Sequence, residues 1–447
     1  MAARRLLIRL CIGSAAGYAG YVSFVYMRTQ FEIQRRKEIY DSLISQGLLD
    51  TKVRLLDPRF LSMKILGRYE NPFTEYRPQT LFEFMVMRFM ELTEHGKRGG
   101  LPSDPEVLKK LLPSVKPDLD LISQIRSGVD KIPAFPKLPP VDRRLSYTWL
   151  GQSCGFLQIG KLSFLVDPLF SDHLVNRYVG PKRYIPVPVG LDRFLQGIGG
   201  PPEFVMVSHD HPDHLDQESI AKIGNKSKWI VPLGLGKYLK KRGVWNYLEM
   251  DWWDRIPLDA ALPDDGMPSK RGNHCKKKHT YEVVCLPSMH WGGRILIDSN
   301  SRLWCSFMIL RDGKALFYHG GDTGYASELF RRVGKEFGPV KLSALPIGQY
   351  CPEWHQRPRH ISPQESVQIM KDLHSHKMVG VHWGTFVLSS ENFLDPAREL
   401  TLLAHKENRP NSIIIPQCGR TIVMDAEKID FKHDDKAVQK DTVTVYQ

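Results

Sequence analysis

Three regimes of hydrophobic and polar positions follow one another along the chain. From Leu10 to Met27 the run LCIGSAAGYAGYVSFVYM carries no charge, and Arg4, Arg5, Arg9 and Arg28 flank it. At ~1.5 Å per residue such a run reaches roughly 27 Å, close to the thickness of a bilayer's hydrocarbon core. It predicts a single membrane-spanning helix, with Tyr18, Tyr21 and Tyr26 available to an interface. The run is longer than the apolar region of a secretory signal, and no A-x-A cleavage sequence follows it. An Arg-rich, acid-free start also suits a mitochondrial presequence leading into an anchor. Basic residues stand at both ends, so orientation stays open, as does the choice between mitochondrial inner membrane and Golgi or ER membrane.

The second regime is charged and helical. FEIQRRKEIYDSLISQGLLD reads as a juxtamembrane helix, and residues 67–80 as an extended, proline-punctuated stretch. From Leu81 to His95 a helix is expected in which Phe82, Met85, Phe89 and Met90 recur near helical spacing. It is apolar nearly all round, which fits a core helix or one that touches lipid. A further helix is bracketed by Pro102, Pro105, Pro113 and Pro117, and Phe135–Pro140 reads as a linker.

From about residue 145 the pattern becomes short apolar runs closed by Gly, Asp or His: LSYTWLG, SFLVDP, FVMVSHDH, KWIVPLG, YEVVCLPSMH, LWCSFMI, ALFYHGGD, LSALPIG and KMVGVHWG. Their length and β-branched content predict buried strands, several separated by helical stretches, hence an α/β layered sandwich. The expected organisation is an anchor or targeting segment (1–30), a helical extension and linker (31–140), a catalytic domain (141–425) and a polar tail (426–447). The basic stretch 263–280 reads as a solvated loop, with anionic lipid as a second possibility.

Charge narrows the partners. The 447 residues carry 62 Lys and Arg against 49 Asp and Glu, a net charge of +13. That favours an acidic partner such as an anionic membrane or a phosphate-bearing substrate. The cations are dispersed and lack interleaved aromatics, so no nucleic acid is expected. The seven cysteines are scattered without a CxxC pair, which excludes a disulfide framework and a Cys-rich zinc site.

The chemistry lies in Ser208-His209-Asp210-His211-Pro212-Asp213-His214, directly after the apolar FVMV. In extended backbone His209 and His211 point the same way, and the turn at Pro212 brings Asp213 and His214 to a second position nearby. Imidazole and carboxylate suit Zn²⁺, with Fe or Mn also open. His290, Asp322 and His382 each stand at the end of a later apolar run. The seven groups are too many for one tetrahedral ion and fit two that share a carboxylate.

Together these strings resemble the metallo-β-lactamase superfamily, whose fold is a four-layer αβ/βα sandwich. Within it, DWWD, GDTGY and PIGQY…HISPQES are similar to the phospholipase D branch that acts on N-acylated phosphatidylethanolamine. The resemblance covers roughly residues 65–425. It implies that His209, His211 and His290 hold one zinc and Asp213, His214 and His382 the other, with Asp322 bridging. It further implies that a metal-bridging hydroxide attacks phosphorus, releasing N-acylethanolamine and leaving phosphatidic acid. Asp213 and Asp322 would thus serve catalysis, with His360. Asp167 would support a ligand imidazole from behind, while His360, Arg359 and Tyr325 would meet the substrate. A membrane phospholipid substrate and a homodimer are implied as partners. The superfamily motif alone also admits thioesters, lactones and nucleic-acid phosphodiesters. Two departures stand out: Gln152 in WLGQS where the family has His, and Arg359 where it has a neutral Gln. His95, His173, His274, His279, His319, His355, His374, His376, His405 and His433 read as ordinary loop, surface or packing residues.

Overall fold

Each apolar run of the third regime becomes a strand because it is covered on both faces, as strands buried within a layered protein must be. In the computed structural model, residues 2–48, 57–93, 98–175, 180–258, 279–428, 437–440 and 443–446 are described. The basic stretch 263–280 lies outside them except for His279 and Thr280.

Two mixed sheets face each other. The first has nine strands, and its centre runs Arg144–Gly151, Cys154–Ile159, Leu162–Val166, Phe204–Met206, Lys228–Pro232. The second has seven and includes Tyr281–Leu286, Ser306–Arg311, Lys314–His319, Leu342–Pro346 and Lys377–Val381. Period-two alternation divides the side chains between layers. Phe204 and Met206 join the core between the sheets, and Val205 and Val207 join the core beneath the outer helices. Tyr147 of the first sheet meets Phe317 of the second with ring centroids 5.5 Å apart. Outside the first sheet lie Leu191–Gly197, Gln217–Ile223 and Leu235–Lys240. Outside the second lie Ser327–Phe337, Pro363–Asp372 and Asp395–Lys406. The result is the four-layer αβ/βα sandwich of the metallo-β-lactamase fold.

The helix Pro363–Asp372 begins with a capping box, Ser362 and Glu365 each accepting from the other's backbone N–H. Its far end presses on Gly334 of the neighbouring helix, where an added Cβ would lie 1.8 Å from the Asp372 carbonyl oxygen.

Three expectations change. The anchor and the juxtamembrane helix are one helix, Ala2–Ser45, with nothing between Met27 and Phe31 to break it. Its half-buried residues Val22, Val25, Thr29, Ile33, Arg36 and Tyr40 recur at helical spacing and face the body. Arg36 donates to the Leu61 carbonyl at 2.5 Å, and the Arg59 guanidinium stacks 3.4 Å from the Tyr40 ring centroid. The stretch around 67–80 contains half of a hairpin, Met63–Ile65 paired with Arg68–Glu70. Finally, the 426–447 segment is not merely a polar tail. Val443–Tyr446 pairs in parallel with Thr421–Asp425, and all four of its residues are buried.

Candidate metal centre

The parallel strands of both sheets end at a common edge, and every candidate ligand sits just past a strand end. Asp167 follows Leu162–Val166, the motif 208–214 follows Phe204–Met206, Asp322 follows Lys314–His319, and His382 follows Lys377–Val381. Three buried non-glycine residues here hold left-handed backbone: Gln152 (φ 50°), Asp167 (φ 42°) and His382 (φ 61°). Such conformations cost on the order of 1–3 kcal/mol each and cluster where function requires them.

All seven sequence candidates converge. His209, His211, His290 and Asp322 form one group and Asp213, His214, Asp322 and His382 another, with one ligand atom per residue within 4.8 Å of the others in its group. Asp322 belongs to both. Its Oδ2 lies 3.3 Å from His214 Nε2 and 3.7 Å from His290 Nε2, and its Oδ1 lies 3.2 Å from His382 Nε2.

The hydrogen bonds behind the rings decide which nitrogens face inward. His209 Nδ1 donates to Ser208 Oγ at 3.0 Å, and that hydroxyl donates to Asp167 at 2.8 Å. His214 Nδ1 donates to Asp167 Oδ2 at 2.8 Å, and His290 Nδ1 to the Arg359 carbonyl at 2.9 Å. These bonds leave the Nε2 atoms of His209, His214 and His290 with lone pairs. His209 Nε2 and His290 Nε2 then crowd His211 Nδ1 at 2.9 and 3.2 Å, and one proton there cannot serve both. His214 Nε2 and Asp322 Oδ1 are buried without any hydrogen-bond partner. Converging lone pairs and buried orphan acceptors are what a cation relieves, so the donor set fits two divalent metal ions.

Electrostatics agree. Burial, opposed by Asp213 at one ring and Asp322 at both, holds His211 and His290 at about 3, neutral and able to ligate. At His382 burial opposes charge, but Asp322 and Asp213 outweigh it and lift the imidazole to about 9. The same carboxylates hold His214 well above its ordinary value against burial. Positive charge is drawn to this point whether it arrives as protons or as metal.

Several contacts had no counterpart in the sequence reading. His319, read there as an ordinary residue, places Nε2 2.7 Å from Asp167 Oδ2, so that carboxylate serves two imidazoles. Burial works to raise Asp167, and His319 and His214 more than offset it, holding it at about 2. Gln152 Nε2 lies 3.0 Å from both Asp213 Oδ2 and His382 Nε2, so the departing residue touches two ligands. Asn71 donates to the His290 carbonyl at 2.7 Å, tying the extension to the site. Asp210, the acid between the two histidines, turns away to an ion pair with Arg302.

The substrate candidates divide. His360 Nδ1 is buried, unpartnered and 3.7 Å from Asp322 Oδ2. The Arg359 side chain is buried beside Glu83 at 3.6 Å, with Nη1 unpartnered. Both line a cavity of about 680 Å³ that runs from His360, beside Asp322, to the long N-terminal helix. Tyr325 stands elsewhere: its hydroxyl donates to Asp372 at 2.8 Å and its ring stacks on Phe330. The helix Leu81–Thr93 turns Phe82, Met85 and Phe89 outward and buries Glu83 and Met87, so its apolar stripe is not a core stripe. Ala2–Ser45 is long and apolar enough to cross a membrane.

A family model described as a beta-lactamase superfamily domain matches residues 163–383. The Saccharomyces cerevisiae protein named N-acyl-phosphatidylethanolamine-hydrolyzing phospholipase D, mitochondrial, is 39% identical over 427 residues, covering 91% of this chain and 86% of its own. A Caenorhabditis elegans protein, N-acyl-phosphatidylethanolamine-hydrolyzing phospholipase D 1, is 32% identical over 284 residues, covering 61% of this chain and 74% of its own. The chain belongs to the N-acylphosphatidylethanolamine-hydrolysing phospholipase D family of the metallo-β-lactamase superfamily.

Proposed function

We propose that this metal-dependent phosphodiester hydrolase is anchored in a membrane by its first helix and converts N-acylphosphatidylethanolamine to N-acylethanolamine and phosphatidic acid with two zinc ions. The observation that carries the reading is Asp322, shared by two ligand groups and 3.7 Å from His360, which lines a cavity large enough for a lipid segment. His209, His211 and His290 would hold one ion, Asp213, His214 and His382 the other, with Asp322 between them. When bound, such ions supply Lewis-acid charge at a phosphoryl oxygen and bring the pKa of water toward ~7.

The chain's own groups do the rest. Asp167 and the Arg359 carbonyl fix the tautomers of His214 and His290, so their lone pairs face inward. His360 is held well below its ordinary value, first by burial, and is therefore neutral at pH 7. Its Nδ1 is placed to hydrogen-bond an oxygen of the phosphodiester. Arg359 Nη1 offers a buried cation to the same phosphate. Gln152 orients Asp213 and His382. Compartment follows the same relative: an Arg-rich, acid-free start and the mitochondrial name of the yeast protein favour a mitochondrial membrane.

The test is lipid mass spectrometry on detergent-solubilised protein given N-acylphosphatidylethanolamine or phosphatidylcholine, with Asp213→Asn as control. N-acylethanolamine and phosphatidic acid from the first substrate only, and none from the variant, is the expected result. No product from the metal-loaded wild type would sink the reading.

A further inference from the structure

The cavity of about 680 Å³ has two kinds of wall. The catalytic body contributes polar groups, among them Glu70, Gln356, Arg359 and His360. The opposite wall is the N-terminal helix, apolar at Val22, Val25 and Ile33 and polar at Thr29 and Gln30, with Phe84 and Met87 of the helix Leu81–Thr93 beside it. The volume falls in the ~300–1,000 Å³ range of small-molecule sites. A polar end at His360, beside the metal cluster, and a largely apolar wall on the first helix match the layout of one lipid.

Depth along the helix strengthens this. The Leu81 N–H donates to the Tyr18 hydroxyl at 3.0 Å. Tyr18 lies inside the uncharged run Leu10–Met27 and precedes Arg28 by about 15 Å of helix axis, half of a ~30 Å hydrocarbon core. The start of Leu81–Thr93 is therefore docked on the uncharged run of the first helix and not on its charged half. Its outward residues agree, since Phe82 is 76% and Phe89 68% exposed. Aromatic and Met side chains on a helix lying against a membrane belong in the acyl boundary.

We infer that the N-terminal helix is part of the substrate site: the space between it and Leu81–Thr93 takes an acyl chain of a glycerophospholipid directly from the leaflet. The anchor then sets acyl-chain fit as well as location. This rests on the phospholipid reading above, and its test separates the two.

The test replaces Val25, in the cavity wall, by Trp. Met27→Trp serves as the control, since Met27 points outward from the same helix and is 61% exposed. Val22→Trp is a second wall variant, and equal metal content in all proteins shows that the body is folded. The full-length chain in detergent is examined by native mass spectrometry for retained phospholipid, and in phosphatidylcholine vesicles containing N-acylphosphatidylethanolamine for turnover. Wild type and Met27→Trp should retain one phospholipid per chain. Both wall variants should lose it, with at least a tenfold rise in apparent KM for long-chain substrate and a smaller rise for short-chain substrate. Lipid retained by both wall variants, or by no protein at all, overturns the inference whatever the activity. Lipid lost only in the wall variants, with no hydrolysis by wild type, upholds the lipid wall and refutes the proposed reaction.

Discussion

Replacing Asp167 by Asn tests whether the groups behind the ligands set the metal site. The Asp167 carboxylate receives Ser208 N–H at 2.7 Å, Ser208 Oγ at 2.8 Å, His214 Nδ1 at 2.8 Å and His319 Nε2 at 2.7 Å. An amide NH₂ in place of Oδ2 cannot accept from His214. The ring recovers a bond only by moving its proton to Nε2, the nitrogen that faces Asp213 and Asp322. That nitrogen then has no lone pair for a metal. Loss of such a supporting carboxylate lowers metal affinity by ~10–100-fold, or about 1.4–2.7 kcal/mol. Part of the hydrogen bonding survives through the switched tautomer, so stability should fall by only about 1–3 kcal/mol. Zinc competition against a chelator, with urea unfolding in parallel, measures both. Asp216→Asn is the control. Asp216 is another buried carboxylate, accepting from Phe170 and Ser219 N–H, and touches no ligand ring. Zinc affinity of Asp167→Asn within twofold of wild type would refute the reasoning.

Further outcomes follow from single contacts. Burial pushes the Glu70 carboxyl from its ordinary 4.5 up to about 7. The folded chain thus keeps a proton that the unfolded chain releases, and Glu70 destabilises increasingly as pH rises from 4.5 to 7. Glu70→Gln should add up to about 3 kcal/mol at pH 8 and almost nothing at pH 4, read by urea unfolding at each pH. Gly334→Ala would put a methyl 1.8 Å from the Asp372 carbonyl oxygen, and should cost about 3 kcal/mol or prevent folding, read as a drop in Tm. His382→Ala should abolish turnover while circular dichroism stays unchanged; retained turnover would contradict a two-metal site.

Much of this was legible in the sequence. Each predicted strand contains paired residues, because strands buried on both faces announce themselves as unbroken apolar runs. LWCSFMI begins pairing only at Ser306, since Leu303 and Cys305 spend their N–H groups on Leu233 and Ser208 instead. The ligand candidates were visible because each follows an apolar run and carries a metal-binding side chain. His319 closes the strand Lys314–His319 in the same way, but its role was hidden because its partner Asp167 is 152 residues away. Nothing in a single sequence joins such a pair. The contacts of Gln152 with Asp213 and His382 were hidden for the same reason, since those residues lie 61 and 230 positions away. The cavity wall was equally hidden: Val22 and Val25 look like any residues of an apolar span until the body is seen against them.

The central claim is that water attacks phosphorus beside Asp322, with the N-acylethanolamine oxygen leaving. Hydrolysis of N-acylphosphatidylethanolamine by the zinc-loaded full-length protein in ¹⁸O-enriched water tests it most directly, with both products weighed by mass spectrometry. The account predicts one ¹⁸O in phosphatidic acid and none in N-acylethanolamine. Label in N-acylethanolamine would mean that the carbon–oxygen bond breaks, and would contradict it.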